Sequence, residues 1–162
     1  MKEDDNPDSY FSTMFDLFAL PTDFPSFAEV QGLQDPRAKV REREKAFAAD
    51  IAGQRFLPYL QLHEFEALLL SDPSKFAVEF LNHDTAIENL GKMCSEFDSP
   101  ELIDDGAETA PSKRIIQEIP EYAGRKASAG PRIAHTIGLE VIRRRCPHFD
   151  QWLTHVEDLS NE

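Results

Sequence analysis

The chain has 162 residues, 41% of them apolar, with twelve Phe and eleven Pro, enough for one packed core with frequent chain reversals and too apolar for a disordered polymer. A formal charge of −13 repels a nucleic-acid backbone at long range, so any such contact is local or made through a partner; the carboxylate excess suits divalent cations, a basic protein surface or simple solubility. Two cysteines, Cys94 and Cys146, exclude a disulfide framework and a clustered zinc site, no apolar run reaches the roughly 18 residues of a membrane span, and the polar start MKEDDNPDS has no signal-peptide core, so the expected location is the cytoplasm.

Residues 1–9 are polar, carry Pro7 and read as a loose lead-in to a single α/β domain over 10–162. The segment YFSTMFD, 10–16, is aromatic and apolar and predicts a buried strand before the turn-like TDFPSF. Asp35-Pro36 starts a helix over 35–52 with Val40, Phe47 and Ile51 as its apolar stripe. RFLPYLQLH, 55–63, is apolar on both strand faces, as in a strand covered on both sides, although Pro58 argues against a central position.

The period then changes. Phe65, Leu68 and Leu69 share a helical face, Ser71-Asp72-Pro73 stops one helix and caps the next, and SKFAVEFL predicts that second helix. Further helical segments follow at 84–97 and, as two short helices around a Gly106 loop, across 99–122. Ile133, Ile137, Val141 and Ile142 make one helical face ending in Arg143-Arg144-Arg145, cations suited to a helix C-terminus. Pro147 opens a last helix with Phe149, Trp152, Leu153 and Val156 inward, and the two pack as a hairpin.

Three places can carry chemistry. Asp16 is an acid in an apolar strand, near the carboxyl end where open α/β sheets hold ligands; it is either a magnesium ligand or a cap of the turn that follows. HEFE, 63–66, sets two carboxylates beside an imidazole. It is not the zinc-protease pattern, because Ala67 stands where the second His is needed. On a strand Glu64 and Glu66 share a face, whereas on a helix they diverge by about 200°, leaving one inward, for which Glu64 is preferred. With Asp16, Glu64 would hold Mg²⁺ as a catalytic pair, with Glu66 and His63 in support; the competing reading is that both glutamates cap and solvate a helix start. In TAPSKR, 109–114, Thr109 or Ser112 caps a helix whose Lys113 and Arg114 either grip phosphate or are merely solvated. His135, His148 and His155 are given no role.

The blocks STMFDLFALPTDFP, RFLPYLQLHEFEALLLSDP, ETAPSKRI and IGLEVIRRRCPHFDQWLTHVEDL together resemble the bacterial domain of unknown function family 4276, from about Phe11 to the end of the chain. That family is similar to Toprim domains, the magnesium-binding α/β fold of topoisomerases, primases and related nucleases, and its members are often encoded near ABC- or AAA-type ATPases. The resemblance implies a helix-rich Toprim-like α/β domain around a small sheet, with Asp16 matching the later acidic position of the Toprim metal site and Glu64 a looser match. Family members begin with an apolar strand leading into an E-G-x-T-E-like turn, which nothing before Tyr10 matches. The expectation is therefore a Toprim-like domain without its N-terminal strand unit, whose sheet edge stays open to a partner or a second copy. Two functions follow: a Mg²⁺-dependent nuclease-like domain acting on phosphodiesters beside an ATPase, or a non-catalytic module that docks on that ATPase.

Overall fold

In the computed structural model, which describes residues 9–53, 55–103, 106 and 108–159, the strand expected at 10–16 is divided into β1 (Phe11–Ser12) and β2 (Phe15–Asp16). Its partner at 55–63 is divided in the same way, into β3 (Phe56–Leu57) and β4 (Leu60–Gln61). Both pairs are parallel, with Phe11 opposite Phe56 and Asp16 opposite Gln61, so one register runs through the interruption. The interruption has a chemical cause: Pro58 has no N–H to give to a ladder. Side chains bridge the gap. Tyr59 N–H donates to Thr13 Oγ1 at 3.1 Å, the same hydroxyl lies 3.2 Å from the Tyr59 carbonyl, and Ser12 Oγ donates to the Leu57 carbonyl at 2.7 Å.

Parallel strands need a long crossover, and here it contains α1 (Pro36–Ile51), so the segment is a β-α-β unit. Asp35 starts the helix as its sequence suggests, its carboxylate accepting the Arg37 N–H at 3.0 Å with Pro36 in the first turn. Val40 is buried, and the Phe47 ring packs among Phe15, Phe24 and Phe56 at centroid distances of 6.4, 5.0 and 5.0 Å. Ile51, expected in the apolar stripe, is instead 38% exposed, because the helix ends there at a left-handed Ala52. The chain divides into two compact units, Met1–Gln61 and Leu62–Glu162. The expected lead-in lies, except for Ser9, outside the described residues.

The second unit is helical: α2 (Glu66–Leu69), α3 (Asp84–Cys94), α4 (Pro111–Glu118), α5 (Lys126–Ile137), α6 (Leu139–Arg145) and α7 (Pro147–Leu159), with short 3₁₀ segments at Pro73–Val78, Pro100–Leu102 and Pro120–Gly124. Phe76, Phe80 and Tyr122 form its aromatic centre, with centroids 6.0 to 6.4 Å apart, among buried Leu69, Leu70, Ile115 and Ile133. The α-helix expected at SKFAVEFL is a 3₁₀ turn. Asp72 does cap it, accepting the Ser74 N–H at 3.1 Å, but the bonds then close over three residues, as from Lys75 N–H to the Asp72 carbonyl, and left-handed Asn82 stops the segment.

The single helix expected through Ile133, Ile137, Val141 and Ile142 is two. Gly138, at φ +83° and ψ 146°, stands between α5 and α6, and no helix continues through that conformation. Ile133, Ile137 and Ile142 are buried all the same, so the apolar period survived a break it could not reveal. The α6–α7 hairpin is present. Arg143 does more in it than face a helix dipole, because its guanidinium donates to Asp150, Thr154 and Glu157 of α7. The first turn of α7 is also held by Glu101, which is fully buried: its two carboxylate oxygens accept the N–H groups of His148 at 3.0 Å and Phe149 at 2.9 Å. No helix among the described residues is long and apolar enough to cross a membrane.

Candidate functional site

Asp16 ends β2, half-buried, opposite Gln61 in the parallel register. It occupies the N-cap position of the 3₁₀ turn Leu17–Ala19, yet its side chain makes no capping bond with that turn. Its place at the carboxyl end of a parallel strand in a β-α-β unit is where such folds expose functional side chains.

The HEFE segment belongs to the second unit and leaves strand geometry at once. His63 is 3% exposed and adopts φ +63°, a left-handed conformation that His tolerates better than most residues and that turns the chain into α2. Glu64 is half-buried and works at a distance, accepting the Ser112 N–H on Oε2 at 2.9 Å. Ser112 lies in the first turn of α4, where the N-cap residue is Ala110 and has nothing to offer. The expected local cap by Thr109 or Ser112 is thus replaced by a carboxylate from 48 residues away, which satisfies an orphan N–H and meets the positive end of the helix.

Glu66 is the more buried of the two glutamates, at 7% exposure, contrary to the preference for Glu64 as the inward one. Since the helix begins only at Glu66, its side chain turns with Ala67–Leu69 into the interior. There Oε1 accepts from the Tyr122 hydroxyl at 3.3 Å and faces Lys126 Nζ at 3.3 Å. Burial, and after it the charge of Glu66, push the Tyr122 phenol well above its ordinary pKa, so it stays a donor at any physiological pH. Tyr122 and Lys126 could not be found here by spacing, because each stands about sixty residues from Glu66.

Of the two phosphate candidates, Lys113 is exposed, while Arg114 donates its Nε–H to the Thr109 carbonyl at 2.8 Å and lies over the Phe97 ring. Arg114 therefore holds its own loop. As for Mg²⁺, a binding site needs several oxygens free to converge on one ion. Glu64 and Glu66 each already serve a backbone or side-chain donor, and among the described residues no three of His, Cys, Asp and Glu come together in a way that could hold a metal. Cys94 and Cys146 are free thiols, buried, with pKa values pushed up by that burial to about 11 and about 12, which disfavours the thiolate form.

A family model described as "Domain of unknown function (DUF4276)" matches residues 1–157. No curated protein and no solved structure matches the chain.

Proposed function

The chain belongs to the DUF4276 family, and on that premise we propose that it is a Toprim-like interaction module that docks on an ABC- or AAA-type ATPase in the cytoplasm. One observation carries this reading. Each strand pair of the β-α-β unit has two strands among the described residues, so β1 and β2 are paired on one side only, and Tyr10, Met14, Phe15 and Phe18 in and beside them are 45%, 43%, 48% and 53% exposed. Four large apolar side chains within nine residues of an open edge favour an interaction surface, since a lone exposed strand otherwise invites indiscriminate pairing. The net charge of −13 favours a basic partner. The same edge would accept a second copy of the chain.

Binding of the purified chain to the ATPase encoded beside its gene, measured by calorimetry, tests the reading. Met14→Asp and Phe18→Asp should abolish the complex, and Leu81→Asp, at a residue 75% exposed in the other unit, should leave it intact. A complex indifferent to the first two substitutions, or no complex at all, would refute it.

A second reading, Mg²⁺-dependent phosphodiester cleavage, is favoured by Asp16 alone, an acid at the strand end where ligands bind and without a capping task. Titration of Mg²⁺ and Mn²⁺ into the chain checks it. Stoichiometric binding that is lost in Asp16→Ala would support it, and the absence of binding would leave the docking module.

A further inference from the structure

We propose that Arg43 is the centre of an oxyanion site, its guanidinium held beneath the turns of residues 21–33 to receive the phosphate or carboxylate group of a small ligand. Arg43 projects from the buried face of α1 and is 4% exposed. Among the described residues nothing accepts a hydrogen bond from its Nε. A buried guanidinium N–H is ordinarily hydrogen-bonded, and one that is not carries a desolvation cost.

The sequence around it withholds a counter-charge. The helical neighbours three and four residues away are Lys39, Val40, Ala46 and Phe47, none of them acidic. The adjacent acids look elsewhere: Glu42 faces Lys45 at 4.0 Å, and Glu44 Oε1 accepts the Leu60 N–H at 2.8 Å. Burial accordingly lowers the Arg43 pKa with no charge to offset it.

The cover is shaped for a planar cation. The Phe27 ring lies 4.7 Å from Arg43 Cζ, a cation–π contact that occupies a face of the guanidinium and leaves its rim of N–H donors for an acceptor in the plane. Phe27 is held by successive turns, with Phe24 N–H donating to Pro21 O, Phe27 N–H to Phe24 O and Leu33 N–H to Val30 O. Ser26, next to it, takes a left-handed φ of +56°, and its Oγ is a second buried polar atom without a hydrogen-bond partner; Arg37 Nε, at the start of α1, is a third. A phosphate or carboxylate would give Arg43 the bidentate acceptor that its fork of donors matches.

The test uses the full chain at constant ionic strength, with inorganic phosphate, acetate or chloride as the anion. Phosphate or acetate should raise the melting temperature saturably above the chloride value, and whichever does so identifies the class of ligand. The rise should vanish in Arg43→Gln and persist in Arg144→Gln, at an exposed position of α6. Should Arg43→Gln fail to fold, the ¹⁵N–¹H signal of the Arg43 side chain, assigned by its disappearance in Arg43→Lys, decides in the wild-type protein: it should move saturably with the active anion. Equal melting temperatures in all three anions, or an Arg43 signal that stays still while others shift, would overturn the proposal.

Discussion

Replacing Glu101 tests the energetic logic of the helical unit more directly than any other substitution. Its carboxylate is wholly buried and accepts two N–H groups from the first turn of α7. Hydrogen bonds to a charged group contribute roughly 1.5–3 kcal/mol each, and truncation also leaves two buried donors without an acceptor, so Glu101→Ala should cost about 3–5 kcal/mol. Glu101→Gln keeps one good acceptor and should cost about 1–3 kcal/mol. Against a typical stability of about 5–15 kcal/mol the alanine variant is close to the limit of folding. With a urea slope of about 2 kcal/mol per molar, its midpoint should fall by roughly 2 M, with the glutamine variant in between. Circular dichroism during urea titration reads this. An alanine midpoint within about 0.3 M of wild type would show that α7 does not depend on this cap and that the reasoning is wrong.

Thr13→Val should cost about 1–3 kcal/mol in the same assay, because it removes the hydroxyl that takes the Tyr59 N–H where Pro58 interrupts the ladder. Gly138→Ala should cost about 1–3 kcal/mol through backbone strain at φ +83°, since an added Cβ would meet nothing within 4 Å. Gly130→Ala should be nearly neutral or stabilising by up to about 1 kcal/mol, as its Cβ would meet Phe65 at 3.4 Å and a helix interior favours Ala. Cys94 and Cys146 should resist iodoacetamide at pH 8, reacting at least about a hundredfold more slowly than in urea, because their raised pKa values leave almost no thiolate; mass spectrometry counts the label.

What the sequence disclosed was local. Asp35-Pro36 and Asp72-Pro73 announce their helix starts because the cap and the N–H it accepts are two residues apart. Phe11–Asp16 and Phe56–Gln61 were legible as strands from their apolar, aromatic composition, and Pro58 warned of the interruption. What period could not disclose is conformation at a single residue: the isoleucine face runs on across Gly138, and only the positive φ divides the helix. Caps that bridge 47 or 48 residues, Glu101 to His148 and Glu64 to Ser112, leave no trace in spacing at all.

That distinction bears on how acids are read in a chain such as this. HEFE offered, among its readings, residues that cap their own helix, and Glu64 does not do that: it caps α4. Glu101 treats α7 in the same manner. The Pro-initiated α4 and α7 create this need, since proline sets the first turn but supplies no side-chain oxygen for the N–H groups behind it. A neighbouring carboxylate is then the strongest acceptor at hand, matching both the orphan donors and the positive end of the helix. Part of the acidic surplus thus serves internal helix starts, which makes Arg43, a buried cation that no acid pairs with among the described residues, the more informative departure.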